Sequence, residues 1–231
     1  MRYTDEEIKK NIEFELTWDS EINASNVKVS VSEGKVSLAG TVPSIKASHL
    51  CLKDTEQISG VVEVSNLLTV DLLPASQGHK DEDISNKAKT IMMWNSDLDD
   101  ADISIIVEKG VLTLKGSVNT YPKKNKAEYL LSDLHGIIEI KNKLSLVFTE
   151  KKSDKDIAQD VKDAIDRHHL AASVEDITVK VENGYVTLVG EVLSLYAKKK
   201  ASKLALSSAG VFDVYNSLVI TEYNIAVTKN K

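Results

Sequence analysis

The side chains best placed to act on something outside this chain are lysines. Lys123, Lys124 and Lys126 fall in one short stretch, and Lys198, Lys199, Lys200 and Lys203 in another. Each stretch reads as a helix with a buried column of small residues, Ala127 in the first and Ala201 in the second. Lys199 and Lys203 are one helical turn apart and point away from that column. A cluster of four to eight basic residues attracts an anionic lipid surface at roughly 1 kcal/mol per residue. The third stretch of this kind holds only Lys46 and Lys53. A solvated helix face is the plainer reading of the same lysines.

Other reactive types do not assemble into a catalytic centre. The five histidines are His49, His79, His135, His168 and His169, and the adjacent last two diverge around a helix end, so they make a poor metal pair. Asp97, Asp99, Asp100 and Asp102 precede Glu108 as in a calcium loop, but Ala101 takes a ligand position and Asp102 replaces the turn glycine. Cys51 is the single cysteine; it stands where two other stretches carry Ala127 and Ala201, which reads as core packing. Phosphate-cradling loops and stacking platforms for single-stranded RNA are missing. The chain reads as a non-enzyme with no cofactor and no metal, and nucleic acid is not an expected partner.

The elements that carry these residues recur three times. Gly34, Gly40, Gly60 and Asn66 return as Gly110, Gly116, Gly136 and Asn142, and again as Gly184, Gly190, Gly210 and Asn216, at shifts of 76 and then 74 residues. One supersecondary unit is used three times. Units of this size bury only about 60% of their unfolded surface, so packing between them should matter. The spacing places the units at 1–72, 80–148 and 153–222, with a tail over 223–231. A linker at about 71–82 carries Pro74, Ser76 and Gly78; a shorter one at about 149–154 suggests that the second and third units couple more tightly.

Each unit opens with a helix. Ile8, Ile12 and Leu16 match Ile84, Ala88 and Met92, and then Ile157, Val161 and Ile165. Asp5, Asp81 and Asp154 or Asp156 are placed to cap its free amides. Alternating strands follow around the turns Glu33-Gly34, Lys109-Gly110 and Asn183-Gly184. Gly40, Gly116 and Gly190 are expected on the buried face, leaving room for a helix. The lysine-bearing helix comes next, at about 44–58 in the first copy, and Gly60, Gly136 and Gly210 are read as its left-handed stop. A last strand then pairs parallel with the second. The expected class is α+β, an α/β sandwich of three α-β-β-α-β units, each a three-stranded mixed sheet with two helices on one face. Ser37, Thr41, Thr113, Ser117, Thr187 and Glu191 mark a polar outward sheet face, free to pack on a partner. Trp18 and Trp94 recur at the end of the first helix and read as core or linker packing.

Gly40-Thr41-Val42, Gly116-Ser117-Val118 and Gly190-Glu191-Val192, with the later Gly60-Val61, Gly136-Ile137 and Gly210-Val211 and the asparagine six residues after each, resemble the BON domain of bacterial osmotic-shock and nodulation proteins. The resemblance covers nearly the whole chain. It implies phospholipid or membrane interaction and a link to osmotic or envelope stress, and some members respond to potassium. The start of the chain lacks the basic and apolar stretches of a secretory signal, and no apolar run approaches the roughly 20 residues of a span, so a cytoplasmic, bacterial protein peripheral to the inner membrane is expected. Residues 1–74 hold 7 basic and 12 acidic side chains, 75–150 hold 10 and 12, and 151–231 hold 12 and 11. The expected partner is anionic phospholipid or a membrane-associated protein. The alternatives are a protein–protein scaffold or homo-oligomer, and a potassium sensor.

Overall fold

A computed structural model describes residues 3–71, 80–98, 102–148, 152–170 and 177–221. The first repeat runs α1 (Asp5–Trp18), β1 (Val27–Ser32), β2 (Lys35–Val42), α2 (Ile45–Gln57), β3 (Glu63–Val70). The second runs α3 (Asp81–Met93), β4 (Asp102–Glu108), β5 (Val111–Val118), α4 (Tyr121–Leu131), β6 (Glu139–Leu146). The third runs α5 (Asp154–Asp166), β7 (Thr178–Glu182), β8 (Tyr185–Val192), α6 (Leu195–Ser207), β9 (Asp213–Ile220). In every sheet the second strand is central, antiparallel to the first and parallel to the third. The expected α-β-β-α-β mixed sheets are therefore present three times. The linker residues Pro74, Ser76 and Gly78, and the tail over 223–231, lie outside the described residues.

Three apolar clusters form the cores. Ile8, Ile12 and Leu16 of α1 meet Val36, Leu38 and Val42 of β2 and Cys51 of α2. Ile84 and Ala88, and then Ile157, Val161 and Ile165, do the same in the other repeats. Cys51, Ala127 and Ala201 have no exposed surface, so the small-residue column of the second helix is buried as its spacing implies. Burial pushes the Cys51 thiol up to about 11, which leaves it protonated and unreactive near neutral pH.

The aspartates at the helix starts do something other than capping. Thr4 and Ser153 cap α1 and α5 with their hydroxyls, Thr4 in a reciprocal box with Glu7. Asp5 instead reaches across to the hairpin turn, where its two oxygens accept from the amides of Glu33 (2.8 Å) and Gly34 (2.9 Å). Asp81 accepts from Lys109 (2.6 Å) and Gly110 (3.1 Å). Asp154, not Asp156, accepts from Asn183 (2.8 Å) and Gly184 (2.9 Å). Both turn residues have positive φ, for example 53° and 74° in the first repeat, so two consecutive N–H groups converge on one carboxylate.

The repeated glycines also answer to constraints of their own. A Cβ on Gly116 would lie 1.8 Å from the carbonyl oxygen of Asp102, and one on Gly40 would lie 2.0 Å from that of Asn26. It is the neighbouring strand's backbone that excludes a side chain, at φ near +120°, not an approaching helix. Gly60, Gly136 and Gly210 do not end the second helices, which stop at Gln57, Leu131 and Ser207; they lie in the following turn. There their carbonyls sit against the hairpin glycines, and the N–H of Val62 donates to Gly34 O at 3.0 Å.

The repeated asparagine ties the last strand to the helix above it. Asn216 Oδ1 accepts from Leu218 N (3.1 Å), while Nδ2 donates to Lys198 O (2.7 Å) and Ser202 Oγ (2.6 Å). Asn142 uses Leu144 N, Lys124 O and Glu128 in the same way, and Asn66 uses Leu68 N and Ser48 Oγ.

Replacing Asp81 with Ala removes two hydrogen bonds to a charged acceptor, a type worth about 1.5–3 kcal/mol. At this partly exposed turn we expect a loss near the lower end in urea denaturation, with Asp81→Asn recovering part of it. Gly116→Ala should cost about 1–3 kcal/mol from backbone strain alone. Wild-type stability in either variant would contradict the account.

Candidate binding surface

The second helices of the three repeats pack on one another. Helix α6 lies against both α2 and α4. The start of α2 meets the end of α4, where Lys46 N donates to Ser132 O at 3.0 Å and Ile45 packs on the second repeat's core. At the equivalent position of α6, Leu195 is buried in the first repeat's core. The first and third repeats are thus joined by a buried side chain, although the linkers suggest the second and third as the tighter pair. The corresponding place in the third repeat is an open cavity of about 680 Å³ lined by Asp160, Asp163, Arg167, Leu204 and their neighbours.

This packing divides the seven candidate lysines. Lys199 Nζ bonds Glu56 Oε1 at 2.5 Å, bridging α6 and α2 between repeats. Lys126 bonds Asp97 in the turn after α3, and that contact, with Lys123 adding its field, holds the Asp97 carboxyl below its ordinary range. Lys198 and Lys124 lend their carbonyls to the asparagine ties. Lys203 is exposed and Lys200 half-buried. Lys126 reaches Asp97 at the end of α3, with Lys123 adding its field there, while Lys200 and Lys203 belong to α6.

The tryptophans are where the sequence reading fails. Trp18 is 72% exposed and Trp94 81% exposed, so neither packs in a core. Phe14 leans on Trp18 with ring centroids 5.7 Å apart, and Met93 is exposed beside Trp94. The signal was available. Trp18 follows Leu16 by two residues, and Trp94 follows Met92 by two, which carries each ring about 200° round the helix from the apolar column. Trp94 stands three residues before Asp97, the carboxylate that Lys126 bonds.

Other singled-out residues take structural places. His168 Nδ1 lies 2.8 Å from Ala164 O at the end of α5. Of the acidic stretch, Asp97 is committed to Lys126 and Asp102 opens β4, while Asp99 and Asp100 lie outside the described residues. No group of three potential ligands able to hold a metal occurs among the described residues.

One buried acid breaks the repeat. Asp54 stands on α2 where the other copies have Leu130 and Leu204. It is buried, and Oδ2 receives no hydrogen bond. Burial, and then a hydrogen bond and charge from Asp19, push its carboxyl up to about 6; Glu15 adds to the rise and Lys53 opposes it.

The BON domain profile matches the chain over residues 4–71, 80–147 and 153–222. The outer membrane lipoprotein DolP of Haemophilus influenzae is 28% identical over 138 residues, which cover 59% of this chain and 71% of that protein. Among solved structures, CdsD, a structural protein of the type III secretion system of Chlamydia trachomatis, aligns over 93% of this chain and 92% of its own at 15% identity and a TM-score of 0.26. The PrgH periplasmic domain aligns over 86% and 97% at 10% identity and a TM-score of 0.23.

The raised Asp54 carboxyl has a pH signature. Between its ordinary value of 3.8 and about 6, the folded chain holds a proton that the unfolded chain has lost, so this group makes stability fall as pH rises through that window. Asp54→Leu should remove that slope and raise the melting temperature at pH 7.5 more than at pH 4. Equal shifts at both pH values would contradict the assignment.

Proposed function

The chain belongs to the BON domain family, and we propose that it is a non-enzymatic binding protein that settles on anionic phospholipid at a membrane surface. The observation that carries this reading is Trp94, 81% exposed at the end of α3 and three residues before the Asp97 that Lys126 bonds. An indole is favoured at the headgroup level, where its ring is half in hydrocarbon and its N–H stays wet. Lysines of α4 add attraction to phosphate. Trp18 and Phe14 repeat the apolar half of the arrangement on α1.

Attachment would be peripheral, through side chains. Among the described residues no helix is long and apolar enough to cross a membrane. The relative named as an outer membrane lipoprotein supports an envelope setting, and osmotic or envelope stress is the occasion that the family implies. On this reading Lys123 and Lys124 are the nearer lipid contacts, Lys126 being paired with Asp97. Lys198, Lys200 and Lys203 form a second basic stretch, from which Lys199 is withdrawn by Glu56.

The chain has two tryptophans, both exposed, so their fluorescence reports on the proposed contact. Vesicles of phosphatidylcholine with phosphatidylglycerol should shift the emission to the blue, and raised salt should reverse the shift. Lys123→Gln with Lys124→Gln should weaken binding roughly 30-fold, from about 1 kcal/mol per charge. An unchanged spectrum at low salt, or equal binding to pure phosphatidylcholine, would falsify the proposal.

A further inference from the structure

We propose that the open cavity of the third repeat is a docking socket for the start of a helix from another protein, one with an aliphatic residue at its first position and a lysine within its first two turns. The chain itself holds two filled sockets of this design. At one, Ile45 opens α2 and packs on the second repeat's core, Lys46 N donates to Ser132 O at 3.0 Å, and Lys46 Nζ lies 4.0 Å from Asp133. At the other, Leu195 opens α6 and is buried in the first repeat's core, while Lys199 reaches Glu56 at 2.5 Å. Each joint pairs a buried aliphatic residue with a cation at the carbonyl end of the receiving helix, where the helix dipole favours positive charge.

The third socket has no such guest. Among the described residues, every side chain of the third core comes from the third repeat. The starts of α2 and α6 serve the ends of α4 and α2, which leaves the start of α4 for the end of α6. Helix α4 lies against α6, but it opens with Tyr121-Pro122. Pro122 holds the position of Lys46, 76 residues on. It has no N–H to give where Lys46 gives one, and no charge. The place remains a cavity of about 680 Å³ with the half-buried Leu204 in its wall.

The lining selects the occupant. Asp160, Asp163 and Asp166 share the cavity with one basic residue, Arg167, whose Nε donates back to Asp163 O at 3.1 Å. Asp160 is bonded to Lys152. The ends of α5 and α6 both open onto the cavity, and neither helix has a basic residue in its last turn. Asp163, Asp166 and two helix C-termini favour a cation, and Leu204 favours an aliphatic group beside it. A second copy of this chain has no suitable helix start to offer. Those of α2 and α6 are used in the two joints, and α4 begins Tyr-Pro. Helices α1, α3 and α5 begin with aspartates bonded to their own hairpins. The guest is therefore a different protein.

The probe is a hydrocarbon-stapled peptide copying residues 43–58, with Ser in place of Cys51, titrated into the isotope-labelled full chain and followed by amide NMR. Saturable shifts are expected at Ala164, Leu204, Ser207 and Ser208, with one peptide bound per monomeric chain. In the peptide, Ile45→Asp should weaken binding roughly 10-fold or more, and Lys46→Glu about 5-fold. In the full chain, Ser207→Arg puts bulk and positive charge at the cavity and should abolish the shifts with an unchanged circular dichroism spectrum. Four results overturn the proposal. One is no shift up to roughly 1 mM peptide. Another is a set of shifts at Ser132 and Asp133 instead, where the peptide has displaced α2. The third is the same cavity shifts from spermidine alone, which makes the site one for a small organic cation. The last is a dimer of the free chain that shields the cavity amides.

Discussion

A carboxylate shared by two neighbouring backbone amides holds each repeat together. In a hairpin turn whose two central residues both have positive φ, consecutive N–H groups point the same way and have no strand partner. Asp5, Asp81 and Asp154 supply the missing acceptor from the first turn of a helix distant in sequence. The contact fixes the start of that helix against the hairpin, and Ile8 and Ile157 come down on the glycine turn that leads into the last strand. The small column of the second helix then finds its place beside them. The position of Trp18 and Trp94 at the far end of the first helix follows from the same anchor.

Much of this was legible because it is local. Strand alternation, polar-Gly turns, the apolar column of the first helix and the alanine column of the second are periodic signals, and the structure returns them as elements. The strand glycines were misread because the sequence states that a side chain is excluded at Gly116 but not what excludes it. The backbone of Asp102 does so, and backbone against backbone has no residue signature of its own. The aspartates were misread for a related reason. A helix-start carboxylate is ordinarily explained by its own helix; Thr4 and Ser153 meet that need in α1 and α5, while α3 opens at Lys80 without a side-chain cap and Asp81 still turns to the hairpin.

What lay beyond the sequence concerns how the repeats meet. A threefold period describes one unit and is silent on the joints. Ile45 and Leu195, apolar residues at the exposed first position of a helix, are the one hint, and both are covered by a different repeat. The same joint takes Lys199 out of the lysine cluster by pairing it with Glu56 across the interface. Aromatic residues carried the remaining surprise. Trp94 and Tyr215 are hydrophobic in composition but lie off the buried column or on the outer side of the sheet, so their types suggest core while their phases place them at the surface.

The joint between the first and third repeats also has a consequence in time. Glu56 and Lys199 are 143 residues apart in the chain. At a synthesis rate of about 5–20 residues per second, the first repeat leaves the ribosome roughly 7–30 s before the side chains that cover its flank exist. For that interval its socket for Leu195 is open while the rest of its core can already close. A nascent chain of this design passes through a stage in which the oldest part waits for the youngest, and any factor that shields apolar surface during synthesis would find its target there.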